Sequence, residues 1–121
     1  MTEFTVGVRV GRSTAIAPRG ELDLATAKRF ETACDAIDYS TVVGVVLDLR
    51  ELEFIDATGL RAVLRLRAIC LERAVQLLVR PGPRGVQRVF ELTHTDRLLT
   101  FSRPDGVDMS RLMQWRTNDS R

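Results

Sequence analysis

An α/β domain with a mixed central sheet of four to five strands, flanked by helices, is what the sequence predicts. Short runs of alternating or unbroken β-branched residues take turns with longer stretches in which apolar residues recur every three or four positions. The resulting order of strand, strand, helix, strand, helix, strand, helix shows no internal repeat, linker or low-complexity segment. A length of 121 residues and an apolar content of 45% fit a single domain over 1–121, with a core from about 4 to 101 and residues 102–121 as a C-terminal extension or docked helix.

The first strand is predicted where Phe4, Val6, Val8 and Val10 alternate with Thr5, Gly7 and Arg9, followed by a turn at Gly11-Arg12-Ser13. A second, short strand is expected over 14–17. Pro18 cannot donate to a ladder, so the pair is placed as an antiparallel hairpin at a sheet edge. Gly20-Glu21-Leu22-Asp23 then leads into a helix whose stripe is Leu24, Ala27, Phe30, Cys34 and Ile37, with Asp23 or Thr26 as its cap.

Residues 42–49 form a nearly unbroken apolar run, which predicts a central strand buried on both faces. A polar turn spans 54–59. Leu60, Val63, Leu64 and Leu71 continue as a helix to about Arg73, with Arg61, Arg65 and Glu72 on its wet side. Another buried strand is expected at 75–79, a turn at Arg80-Pro81-Gly82-Pro83, and a third helix carrying Val86, Val89 and Phe90. Residues 98–101 suit a last short strand, and Asp108 is placed to cap a terminal helix with Met109, Leu112, Met113 and Trp115.

Composition excludes several classes of function. The formal charge is +2 and the basic residues are spread along the chain, so no footprint for nucleic acid stands out. No run approaches the roughly 18 apolar residues of a membrane span, and the N-terminus lacks a basic region followed by an apolar one, so a soluble cytoplasmic protein without membrane insertion is expected. Cys34 and Cys70 lie in apolar-periodic stretches and are predicted to be buried hydrophobes rather than a disulfide or metal pair.

No enzyme motif is complete. The single histidine, His94, rules out any site that needs two and suits a helix end or the surface. The turn around Gly82 opens a helix and offers backbone amides to an anion, but it lacks the lysine and hydroxyl of a nucleotide loop. Asp56-Ala57-Thr58-Gly59 has one acid after an apolar strand where an aspartyl phosphotransferase would carry two. What that segment does supply is Asp56 as a helix cap and Thr58 as a hydroxyl at a positive helix end. Thr58 therefore has two readings, a phosphoacceptor and a plain helix-start hydroxyl, and Asp23 can likewise be a plain cap. Gly59 is expected to leave that hydroxyl open to an approaching protein. Phosphate on Thr58 would add roughly −1.5 to −2 charges without unfolding the domain, which is the physics of a binding switch.

Three segments resemble the STAS domains of anti-sigma factor antagonists: residues 20–27, residues 47–60 with Phe54-Ile55-Asp56-Ala57-Thr58-Gly59-Leu60 at their centre, and residues 86–99. The resemblance implies a protein that binds an anti-sigma factor which is also a serine/threonine kinase, is phosphorylated by it, and is reset by a phosphatase. It implies Thr58 as phosphoacceptor and Asp23, Leu24, Asp56, Ala57, Gly59, Leu60 and Arg61 as the partner-binding surface. No cofactor is expected on this chain, since ATP and magnesium would belong to the kinase. Ala57 stands where the family usually has serine, and Arg61 where a small residue is frequent. The same fold without phosphorylation, as a module regulating a membrane transporter or a stress-sensing assembly, is the alternative.

Overall fold

The computed structural model describes residues 2–102; the expected helix containing Met109, Leu112, Met113 and Trp115 lies outside them. Five strands and three helices are present: β1 (Thr5–Arg9), β2 (Ser13–Leu22), α1 (Ala27–Asp35), β3 (Gly44–Asp48), β4 (Leu52–Ile55), α2 (Ala57–Glu72), β5 (Gln76–Arg80) and α3 (Arg84–Leu92); all but β4 follow the predicted alternation, and β4 and the start of α2 replace the polar turn expected at 54–59. The sheet runs β1-β2-β3-β5, with β4 also on β2. Only the β1–β2 pair is antiparallel, as a hairpin requires; the others are parallel and are joined by crossovers.

The second strand departs most from expectation. It is ten residues long, continues through Pro18 and lies inside the sheet, and Gly20–Leu22 are strand rather than a lead into α1. The proline is tolerated because β2 changes partners around it. Ser13–Ile16 pair with β3 and Gly20–Leu22 with β4, so position 18 falls in the gap between the two parallel ladders. Gly20, at φ +99°, supplies the bend where the register shifts.

The helices place one continuous core on one face of the sheet. Phe30 and Cys34 of α1, Val63, Leu66 and Cys70 of α2, and Val86 and Phe90 of α3 meet Ile16, Leu22, Val45, Leu47 and Val79. Two expected stripe residues are outside it. Leu24 precedes α1 and is 79% exposed, and Leu71 is 64% exposed because the buried row of α2 runs through Leu66 and Cys70. Neither Asp23 nor Thr26 caps α1 with its side chain: the Thr26 hydroxyl donates back to Glu21 O at 2.7 Å. β3 is buried on the helix side, while Val46 on its other face is half-buried against Leu78 in a separate cluster.

The last predicted strand, 98–101, reduces to a single parallel bridge between Phe101 and Val79, preceded by a 3-10 turn over Thr95–Leu98. His94 is exposed with φ 60°, a left-handed residue that ends α3, as its helix-end reading expects. Cys34 and Cys70 are buried and unbonded. Burial pushes the Cys34 thiol up to about 12, helped by the Asp35 carboxylate, and burial pushes Cys70 up to about 11. Both thiols should resist a polar alkylating reagent at pH 8 until denaturant is added, because the thiolate is the reactive form. Rapid native-state labelling would contradict that burial. Their raised values favour the folded state below pH 9, and this contribution fades as pH rises towards the folded values.

Candidate functional site

Asp56 organises the end of the sheet at which β2 and β4 stop. It is the N-cap of α2, and its Oδ1 accepts from Gly59 N at 2.9 Å, satisfying one of the amides that a helix start leaves unpaired. Its Oδ2 accepts from Leu24 N at 3.3 Å, and its own amide donates to Leu22 O at 3.3 Å. One carboxylate thus ties the loop after β2 to the first turn of α2. Asp23 shapes that loop from within, its Oδ1 accepting from Ala25 N at 3.0 Å.

Thr58, the second residue of α2, is partly exposed. Arg61, one turn along, donates from its guanidinium to Thr58 Oγ1 at 3.3 Å. Ala57 is exposed between Asp56 and Thr58. Asp23, Leu24, Asp56, Ala57, Thr58 and Arg61 therefore share one surface. An exposed Leu24 beside a carboxylate, a hydroxyl and an arginine makes a mixed apolar and polar patch that suits a protein partner better than a small substrate.

Two predicted contact residues have another role. Leu60 is only 7% exposed and belongs to the core. Gly59 is buried, and a Cβ there would lie 2.2 Å from Leu22 O and 2.9 Å from Leu22 C. The glycine lets α2 press against the backbone of β2, which is a packing requirement and not a way of clearing the hydroxyl. Phe54, 48% exposed on β4 two residues before Asp56, adds an aromatic surface beside this end of the sheet. Its place on a strand was missed, since residues 54–59 were expected to form a polar turn and the four residues of β4 bury only their two ends, Leu52 and Ile55.

The glycine-rich turn before α3 does not present a free phosphate loop. Gly82 N donates to Gln87 Oε1 at 2.9 Å, and Pro83 at the N-cap has no amide hydrogen to give. Among the described residues no three His, Cys, Asp or Glu side chains are grouped to hold a metal ion, and no helix is long and apolar enough to cross a membrane.

Residues 8–100 match the family model described as "Mlab, STAS domain". The chain belongs to the STAS domain family. No curated protein matches it. Among solved structures, this STAS domain is similar to an anti-sigma factor antagonist from Mycobacterium paratuberculosis, with 22% identity, a TM-score of 0.71, and coverage of 85% of this chain and 89% of that one. It is similar to the Bacillus cell fate determinant SpoIIAA in its phosphorylated form, at 17% identity and TM-score 0.61 over 85% of this chain and 94% of that one. It also resembles a sulfate transporter family protein from Wolinella succinogenes, at 19% identity and TM-score 0.69 over 93% of this chain and 90% of that one. At these identities the likeness establishes the fold.

Proposed function

We propose that this STAS domain is a cytoplasmic anti-sigma factor antagonist that docks on an anti-sigma factor of the serine/threonine kinase type through the Leu24–Asp56–Arg61 surface and is released by phosphorylation of Thr58. The observation that carries this reading is the placement of the Thr58 hydroxyl: partly exposed, on the first turn of α2, at the position where the STAS signature has its phosphoacceptor. The similarity to antagonists, one of them captured phosphorylated, supports it.

In this reading the Thr58 Oγ1 attacks the γ-phosphorus of an ATP held by the kinase, ADP leaves, and a base on the kinase takes the hydroxyl proton. Arg61 already reaches Thr58 Oγ1, so it can pair with the new phosphate and leave the fold intact. The partner's surface, fitted to a neutral hydroxyl beside Asp56, then meets concentrated negative charge. A phosphatase would restore binding and, through it, sigma-factor-dependent transcription in response to stress.

A constitutive module attached to a membrane transporter is the second reading, favoured by the resemblance to the sulfate transporter family protein. It requires no modification. Peptide mapping by mass spectrometry of the protein from its native cells separates the two: the antagonist reading expects a phosphatase-sensitive phosphate on Thr58. Its absence under all growth and stress conditions would favour the transporter module.

A further inference from the structure

The register of β1 on β2 decides which backbone groups the edge of the sheet shows to its surroundings. The partners are Thr5 and Arg19, Val6 and Pro18, Gly7 and Ala17, Val8 and Ile16, Arg9 and Ala15. Opposed residues of an antiparallel pair alternately exchange both backbone bonds and exchange none. Pro18 has no amide hydrogen, so Val6 and Pro18 exchange none. The far side of β2 agrees: Arg12 O accepts from Val43 N at 2.8 Å and Gly20 N donates to Glu51 O at 3.3 Å, so the even-numbered groups of β2 turn away from β1. Thr5, Gly7 and Arg9 therefore bond inward to β2, and the amides and carbonyls of Val6 and Val8 point out of the sheet.

β1 is the last strand on its side. Natural sheets blunt such an edge with a charge, a proline or a covering segment. Here the cover stops at Phe4, whose carbonyl accepts from the Arg29 guanidinium at 2.9 Å. Across the sheet, β5 is closed in part by residues 100–102, since Val79 N donates to Thr100 O and Ser102 N to Val79 O. Among the described residues nothing pairs with the outward groups of Val6 or Val8, and Val8 is 45% exposed.

We propose that a second copy of this chain pairs there, β1 against β1 and antiparallel, about a two-fold axis at Gly7. That register sets Thr5 opposite Arg9, Val6 opposite Val8 and Gly7 opposite itself, so the whole of Thr5–Arg9 is used. The outward groups of Val6 and Val8 then bond to those of Val8 and Val6 in the other copy. An axis at Val6 or at Val8 leaves part of the strand unpaired.

The side chains fit the same axis. Val6 packs on the helix-side core, so Val8 faces that way too and gains Val6 of the second copy as its cross-strand neighbour. Gly7 at the axis suits the closest backbone spacing of an antiparallel pair, about 4.5 Å. Arg9 is the one charge within the strand and Glu3 the acid just before it; both are exposed and have no partner among the described residues. Each Arg9 lies diagonal to Glu3 of the other copy, within reach of long side chains, while the two Arg9 stand at opposite ends. Backbone bonds and one small apolar contact make a weak dimer that depends on concentration. It shares no residue with the Thr58 surface and does not rest on the role proposed for it.

Sedimentation equilibrium should show the mean mass rising towards twice that of the chain between about 10 μM and about 1 mM, the range of weak specific association. Hydrogen exchange at the Val6 and Val8 amides should slow over the same range. Val8→Pro removes a donor that the Val8–Ile16 pair does not use, so it should keep the fold and abolish the dimer. Arg9→Glu and Glu3→Arg should each dimerise several-fold more weakly at low salt. An equimolar mixture of those two should recover the parent's association, because every Glu then meets an Arg; this keeps the test valid if the proline disturbs β1. A parent chain that stays monomeric to about 1 mM would overturn the proposal, as would a mixture no tighter than its components. So would amide protection that does not change with concentration, because the occupant would then belong to the same chain.

Discussion

Gly59→Ala should lower stability by about 3 kcal/mol, in the upper part of the range for overpacked sites. For a domain of roughly 100 residues that corresponds to a fall in Tm on the order of 10–20 °C. The new Cβ would sit 2.2 Å from Leu22 O and 2.9 Å from Leu22 C, both backbone atoms of an interior strand that cannot rotate away. Relief requires α2 to move off β2, which strains the bonds from Gly59 N and Leu24 N to the Asp56 carboxylate. Helix propensity argues the other way, since alanine is better than glycine inside a helix by about 1 kcal/mol. The sign of the measured change therefore decides which effect governs. Gly85, on the first turn of α3 with nothing within 4 Å of an added Cβ, is the control: Gly85→Ala should be neutral or stabilising by about 0.5–1 kcal/mol. Thermal melts of both variants measure the contrast, and a Gly59→Ala protein as stable as its parent would show that the close approach is not a constraint.

Thr58→Glu should weaken binding to the cognate anti-sigma factor about a hundredfold, equivalent to about 2.7 kcal/mol at 1.36 kcal/mol per decade, within the cost of a like-charge clash at an interface. Stability should stay level or rise slightly, because a carboxylate in the first turn of α2 is favoured by the helix dipole by about 0.3–1 kcal/mol and Arg61 is within reach. Thr58→Ser keeps the hydroxyl and should bind as the parent does. Calorimetry of the three proteins, with circular dichroism to confirm the fold, makes the comparison. Undiminished binding by Thr58→Glu would remove phosphate control from the mechanism and favour the constitutive module.

The helices and the central strand were legible because each repeats a pattern over several residues: Phe30 and Cys34 in α1, Val63 and Leu66 in α2, Val45 and Leu47 in β3. β4 was not. Its four residues, Leu52–Ile55, carry no full period, and their pairing with the far end of β2 is a long-range event that local pattern does not encode. The same change of partner hid the true length of β2, since Pro18 looks like a strand end until the gap between the two ladders is seen.

At the candidate site, the residue types were enough to single out Asp56 as a cap and Thr58 as a hydroxyl at a helix start, because capping depends on a few consecutive residues. Which of their neighbours face outward depended on the packing of α2 against β2. Leu24, placed by periodicity in the α1 stripe but by the resemblance on the partner surface, is exposed beside Asp56, while Gly59 and Leu60, which the resemblance put on that surface although Leu60 also fits the α2 stripe, are buried beneath it. Short-range chemistry sets how a helix begins, whereas the face it shows to a partner is settled by contacts between residues more than thirty positions apart.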